Sequence, residues 1–170
     1  METEKKGEEQ MQKKDGGLVE NVKMSGVLKL VLKDRAGNVK EDRVIENTIT
    51  TLGKAELAGL LTVDVGGTAF DYIAIGVGTG GTTTLNSEAT TNGGARRGGA
   101  DVVGTLVTTT VTDDTAQFVT TFTFSGALAI TEEGILNAGA DGVLLAYQSF
   151  DVLNVADGDT LAITHKVKVA

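Results

Sequence analysis

Apolar and polar positions alternate along most of this chain. In Ser25–Asp34 (SGVLKLVLKD), Leu28, Leu30 and Leu32 interleave with Val27, Lys29 and Val31, the period of two of a half-buried strand. Arg35-Ala-Gly-Asn38 supplies turn residues. Val39–Asn47 returns as a more charged strand, suited to a sheet edge where Lys and Glu discourage unwanted pairing. The period changes at TTLGKAELAGLL, residues 50 to 61. Thr50 or Thr51 can cap a helix there, and Leu57, Leu60 and Leu61 share one side at i, i+3, i+4 spacing. Gly53 and Gly59 weaken the helix, so about three turns leaning on a sheet are predicted.

Phe70–Val77 is again strand-like, followed by a Gly/Thr/Asn-rich loop over residues 78–99. Loops of that length are uncommon in compact domains and tend to serve function or interfaces. Asp101–Thr112 and Thr115–Ser125 flank Asp113-Asp114 as a second hairpin. In its second arm Ala116, Phe118, Phe122 and Phe124 share one face, and Gln117, Val119, Thr121 and Thr123 the other. Ile135–Ala138 and Val143–Phe150 pair around AGADG. Asp159–Val169 closes the pattern with Leu161, Ile163, His165, Val167 and Val169 on one side. Strands at this spacing, joined by short turns, predict a mainly β domain over residues 25–170: an antiparallel β-sandwich or barrel with one short helix. Residues 1–24 (KK, EE, KK and GG blocks) are too polar to bury a core of their own. They are expected to form an extended N-terminal arm lying on a neighbouring subunit.

Composition narrows the function classes. The 170 residues contain 24 Thr and 23 Gly, residue types that suit half-exposed strands and positive-φ turns. Cysteine is absent, which excludes disulfides and thiolate-ligated metal. No apolar run reaches the roughly 18 residues that suggest a membrane helix, and METEKKGEEQMQKKDGG lacks the apolar region of a signal peptide. No membrane partner is therefore expected, and synthesis in the cytoplasm is. The net charge is −8, and between Gly98 and His165 there are nine acids and no Lys or Arg. Such a surface repels phosphates, so no direct nucleic-acid partner is expected.

The chemistry-bearing candidates are few. Gly76-Val-Gly78-Thr-Gly80-Gly81 fits a dinucleotide-binding fingerprint in letters, but turn formers follow it where a helix must open. A flexible loop is the favoured reading. His165, the single histidine, lies on an apolar row and reads as a hydrogen-bonded structural residue, not the base of a catalytic triad. Asp113-Asp114, Glu132-Glu133 and Asp157/Asp159 are ordinary turn acids by type, and none has EF-hand spacing. No catalytic residue and no cofactor is expected, and a structural cation is left open without assigned ligands. Arg96-Arg97 is the strongest positive spot mid-chain and is a candidate for an ion pair with an acidic neighbouring subunit.

Four features occur in order: the helix LGKAELAGLL; the strand and loop FDYIAIGVGTG; Thr84-Leu85-Asn86-Ser87-Glu88 with Arg96-Arg97; and the hairpin Glu133-Gly-Ile-Leu-Asn-Ala138 with Gly142–Phe150, then V-x-x-G-D-x-L-x-I-T. Over residues 47–169 this order resembles small virion structural proteins of tailed bacteriophages, the capsid-decoration and tail-fibre-like group. The resemblance implies a β-module that packs into a repeating shell or tail. Its expected partners are the major capsid protein or other virion proteins, and further copies of itself, with a trimer favoured. Its expected location is the virion. The leading expectation is a non-enzymatic decoration protein that stabilises the assembled head. A tail-fibre, collar or baseplate component is the alternative, and a self-assembling extracellular filament or carbohydrate-binding β-module is the further one. Interface candidates are Lys5, Lys6, Lys13, Lys14 and Val22 in the arm, and Thr79, Thr82, Leu85, Glu88, Arg96 and Arg97 in the loop.

Overall fold

The computed structural model describes residues 23–61 and 68–169. Among these residues nine strands form one antiparallel sheet: β1 (Met24–Lys33), β2 (Val39–Ile49), β3 (Tyr72–Gly76), β4 (Arg97–Gly98), β5 (Val103–Val107), β6 (Thr115–Thr123), β7 (Leu128–Leu136), β8 (Leu144–Val155) and β9 (Thr160–Val169). Their spatial order is β4-β3-β7-β8-β2-β1-β9-β6-β5, curled into a half-barrel. The expected mainly β class with one short helix is what the chain adopts. The arm expected over residues 1–24 lies almost wholly outside the described residues, as do Lys5, Lys6, Lys13, Lys14 and Val22.

The curl makes two layers. β2, β1, β9, β6 and β5 form one, and β8, β7, β3 and β4 the other. They are continuous through a short ladder, Thr48 and Ile49 of β2 against Tyr147 and Ala146 of β8. Beyond it the strands splay apart. The Arg43 guanidinium spans the split, donating to the carbonyls of Asp151 and Val152. Most of β2 is thus a charged free edge, as its composition predicts. Between the layers lie Leu28, Leu30 and Leu32 of β1, with Phe118, Phe122, Leu161 and Ile163 beside them and Ile73, Ile75, Ile130 and Ile135 opposite. Each fully buried side chain of this size contributes about 1.5–3 kcal/mol.

The helix α1 (Thr51–Leu60) starts where the sequence places it, with the Thr50 hydroxyl accepting from the Gly53 N–H. Its packing face is not the predicted one. Leu57 is half-buried, but Leu60 is exposed and Leu61 is 88% exposed. Gly53 and Gly59 are the buried positions. A Cβ on Gly53 would lie 2.5 Å from the Leu145 Cα, so the helix backbone rests directly on β8. The Thr50 hydroxyl fixes that contact by donating to the Leu144 carbonyl. Absence of a side chain sets the docking face, and leucine spacing does not report it.

The second hairpin has a shorter first arm than its apolar run suggests. β5 ends at Val107 because Asp114 organises the turn that leads into β6. Its carboxylate accepts from the N–H groups of Thr109, Thr110 and Val111 and from the hydroxyls of Thr109 and Thr115. Burial opposes ionisation there, but the N–H groups of Val111, Thr109 and Thr110 outweigh it and hold the carboxyl well below the usual range. A depressed folded-state pKa gives stability that is complete above the unfolded value of about 3.9 and is lost as pH falls through the lower folded value. Urea midpoints are therefore expected to decline as pH drops below about 4, and the decline should be shallower in Asp114→Asn. Identical slopes in the two proteins would remove Asp114 as its source.

Candidate interaction surface

A polar line runs through the module's core. β9 places His165 and β7 places Glu133 on the inward faces of opposite layers, both with no exposed side-chain surface. The His165 Nδ1 lies 3.0 Å from the Glu133 Oε2 and 3.1 Å from Oε1. A carboxylate only accepts, so Nδ1 carries the proton, and Nε2 is left to accept from the Asn47 side-chain amide of β2. Gly26 of β1 sits opposite Asn47 in register and leaves room for that amide. Both ring nitrogens are thus engaged, and the predicted structural histidine is what the geometry shows.

Glu132, the adjacent acid, faces the other way and is also fully buried. A register shift between Ile130 and Glu132 marks an irregularity in β7 just before this pair. The Glu132 carboxylate accepts from the N–H groups of Asn86 and Ser87 and from the Tyr147 hydroxyl. Burial pushes the Tyr147 phenol above its ordinary value; the Gly81 and Gly80 N–H groups oppose this and Glu132 adds to it. The phenol therefore stays protonated as the donor.

These bonds pin the loop between β3 and β4. Its segment 87–89 runs back along β3: Val77 N–H donates to the Ser87 carbonyl and Ala89 N–H to the Ile75 carbonyl. Leu85 is buried beside Ala74, Leu136, Leu144 and Tyr147 in a second small core. The loop expected to be flexible is thus fastened to the sheet. Its glycines serve that fastening. A Cβ on Gly76 would collide with Glu132 and the Ser87 carbonyl, and one on Gly81 with the Thr84 carbonyl and the Tyr147 ring. No helix opens after Gly81 among the described residues, so the phosphate-cradling geometry of a dinucleotide fold is not formed.

The loop's interface candidates divide. Thr79 and Thr82 are exposed, whereas Leu85 is core. Arg96 does not stand open to a neighbour. It forms a two-pronged ion pair with Glu88 of its own chain and donates to the carbonyls of Ala138 and Asp141. The Arg97 guanidinium lies 5.2 Å over the Phe122 ring, a cation–π contact. Both arginines clip β4 and the loop to the domain, so the expected inter-subunit ion pair becomes an internal one. The acid pairs of the sequence are likewise separated in role. Asp159 binds Lys40 and caps the Ala156 N–H, and Asp114 caps its turn. Among the described residues no three His, Cys, Asp or Glu side chains gather where they could hold a metal ion.

An exposed apolar surface lies at a strand that sequence motifs do not single out. Among the described residues β5 ends the sheet, with β6 on one side and no strand on the other. Val103 is 57% exposed and Leu106 65% exposed. Leu106 pairs with Ala116, and side chains directly opposite on paired strands share a face. It therefore points inward, like Ala116 and the buried Phe118, at the open end of the half-barrel. An apolar groove of about 250 Å³ lies there, lined by Gly104, Thr105, Leu106, Ala116, Gln117 and Phe118. From Val102 to Thr112 no residue is charged. The sequence signal is present: a Val/Leu/Thr run with none of the Lys, Glu, Asp or Arg that guard β2.

The chain matches no protein-family model, no curated protein and no solved structure.

Proposed function

We propose that this chain is a non-catalytic virion structural protein of the tailed-phage kind, acting as a decoration protein on the assembled head. The single observation that carries the reading is the unguarded β5 edge on an otherwise acidic and internally braced β-module. An uncharged strand edge is a template for pairing with another chain, and its presence beside a fixed loop suits a protein whose work is contact. The resemblance of residues 47–169 to small virion proteins supports the same reading, as does a sole histidine with both nitrogens held in the core. Stabilisation of the head follows from mass action: a protein that binds the assembled shell and not its free subunits favours the shell. Asp101, Asp113, Asp141, Asp151 and Asp157, the exposed acids of the stretch between Gly98 and His165, suit an outer face, away from packaged nucleic acid.

The test is cryo-EM of phage heads assembled without this chain and then incubated with the purified protein. Ordered density on the outer shell is the expected result. Density confined to tails or baseplates moves the protein to the tail. No density on either refutes the virion reading.

A further inference from the structure

The half-barrel has two kinds of free edge in one layer. β2 carries Lys40, Glu41, Asp42, Arg43 and Glu46 along its unpaired length, the usual guard against edge-to-edge association. β5 reads Val-Gly-Thr-Leu-Val and carries none. Among the described residues its backbone N–H and C=O groups on the open side have no partner strand, and Leu106 overhangs an apolar groove at the same place.

We propose that residues Leu18–Val22 of a second copy of this chain add to the free edge of β5 as a further strand, with arms exchanged between the two copies. Three observations select this occupant. The first is where the described chain begins. β1 starts at Met24, and one row across the sheet runs Ser25, Lys168, Thr115, Val107. The preceding segment therefore leaves at the same end of the sheet as the end of β5. A two-fold axis at that end brings each copy's arm to the other's edge, and such exchange is reciprocal by symmetry.

The second is reach. The added strand lies four strand spacings from β1, roughly 19 Å. Val22 is two residues from Met24 and spans at most about 7 Å. A chain cannot lay its own Leu18–Val22 in register along its own β5; a second copy can. The third is pattern. Leu-Val-Glu-Asn-Val matches the five-residue length of β5. In a strand Leu18, Glu20 and Val22 share one face and Val19 and Asn21 the other, so the two apolar side chains flank the Leu106 groove with the Glu20 carboxylate between them on its water-exposed side. The segment carries one charge, so it meets the uncharged edge without burying an ion pair.

Such exchange involves the protein alone and is independent of the virion reading. Its test uses the absence of cysteine from the chain. Full-length Leu106→Cys is mixed with full-length Leu18→Cys, and separately with Val22→Cys, one partner bearing a mass tag. The mixtures are oxidised mildly and resolved without reductant. Disulfide formation needs Cα atoms within about 7 Å. At least one mixture is expected to give cross-linked heterodimer about tenfold above a mixture using Val44→Cys on β2, because an ordered interface raises local thiol concentration. Cross-linking of Leu106→Cys to itself in excess of both mixtures would show β5 pairing with β5 and overturn the arm as occupant. Cross-linking at the Val44→Cys level throughout, or sedimentation as a monomer at every concentration, would overturn the proposal outright.

Discussion

Replacing His165 by leucine is expected to lower the unfolding free energy by about 3–5 kcal/mol, because it leaves Glu133 buried without its donor. The cost arises from desolvation. Both side chains have no exposed surface, so water cannot substitute for the lost N–H. The same argument predicts a rescue. Converting both partners to apolar residues in Glu133→Met/His165→Leu removes the buried carboxylate as well as the imidazole, and should recover most of the loss. Urea denaturation of the wild type, both single variants and the double variant closes the cycle. A His165→Leu protein within about 1 kcal/mol of wild type would show that Glu133 does not depend on the ring. Equal losses in the single and double variants would show that packing around Asn47 dominates.

The second large effect is expected at Glu132. Glu132→Ala strips the acceptor from the Asn86 and Ser87 N–H groups and from the Tyr147 hydroxyl. A loss of about 2–4 kcal/mol is expected, since each buried donor left without a partner costs about 1–3. Stability alone does not separate this from any core lesion. The discriminating readout is limited trypsin digestion. Arg96 and Arg97 lie at the end of the pinned loop, and Arg96 is largely buried against Glu88. Releasing the loop should expose that bond to cleavage much faster in Glu132→Ala, with Glu132→Gln intermediate because one carbonyl oxygen still accepts. Digestion rates unchanged from wild type would mean that the Leu85 cluster holds the loop unaided.

Local periodicity carries the strands well. The alternation in β1, β6 and β9 identifies the inward residues one by one, because a pleat turns every second side chain to one face regardless of the partner strand. The Thr50 cap is legible for a similar reason, being a local hydrogen bond. What fails is set at long range. Leu60 and Leu61 look like a docking stripe until Gly53 meets the backbone of Leu145, about ninety residues away along the chain. Glu132-Glu133 reads as a pair of ordinary turn acids. The curl of the sheet brings His165 to one acid and the loop fastens onto the other, and no local pattern announces either. Arg96-Arg97 reads as an exposed basic spot until the Glu88 carboxylate and the Phe122 ring come into view. The β5 edge is visible as an uncharged Val/Leu/Thr run, yet only its terminal place in the sheet gives that composition meaning.

The position of β9 between β1 and β6 has a consequence for synthesis on the ribosome. The leucines of β1 belong to the first of the nine described strands to emerge, and the strand that covers their flank is the last. At about 5–20 residues per second, the interval between the two is roughly 6–25 s. The first layer therefore closes only as a late, cooperative event, and a nascent chain halted before Thr160 holds β1 and β6 with nothing between them. Premature termination near the end of the chain would spare eight of nine strands and still abolish the layer they belong to.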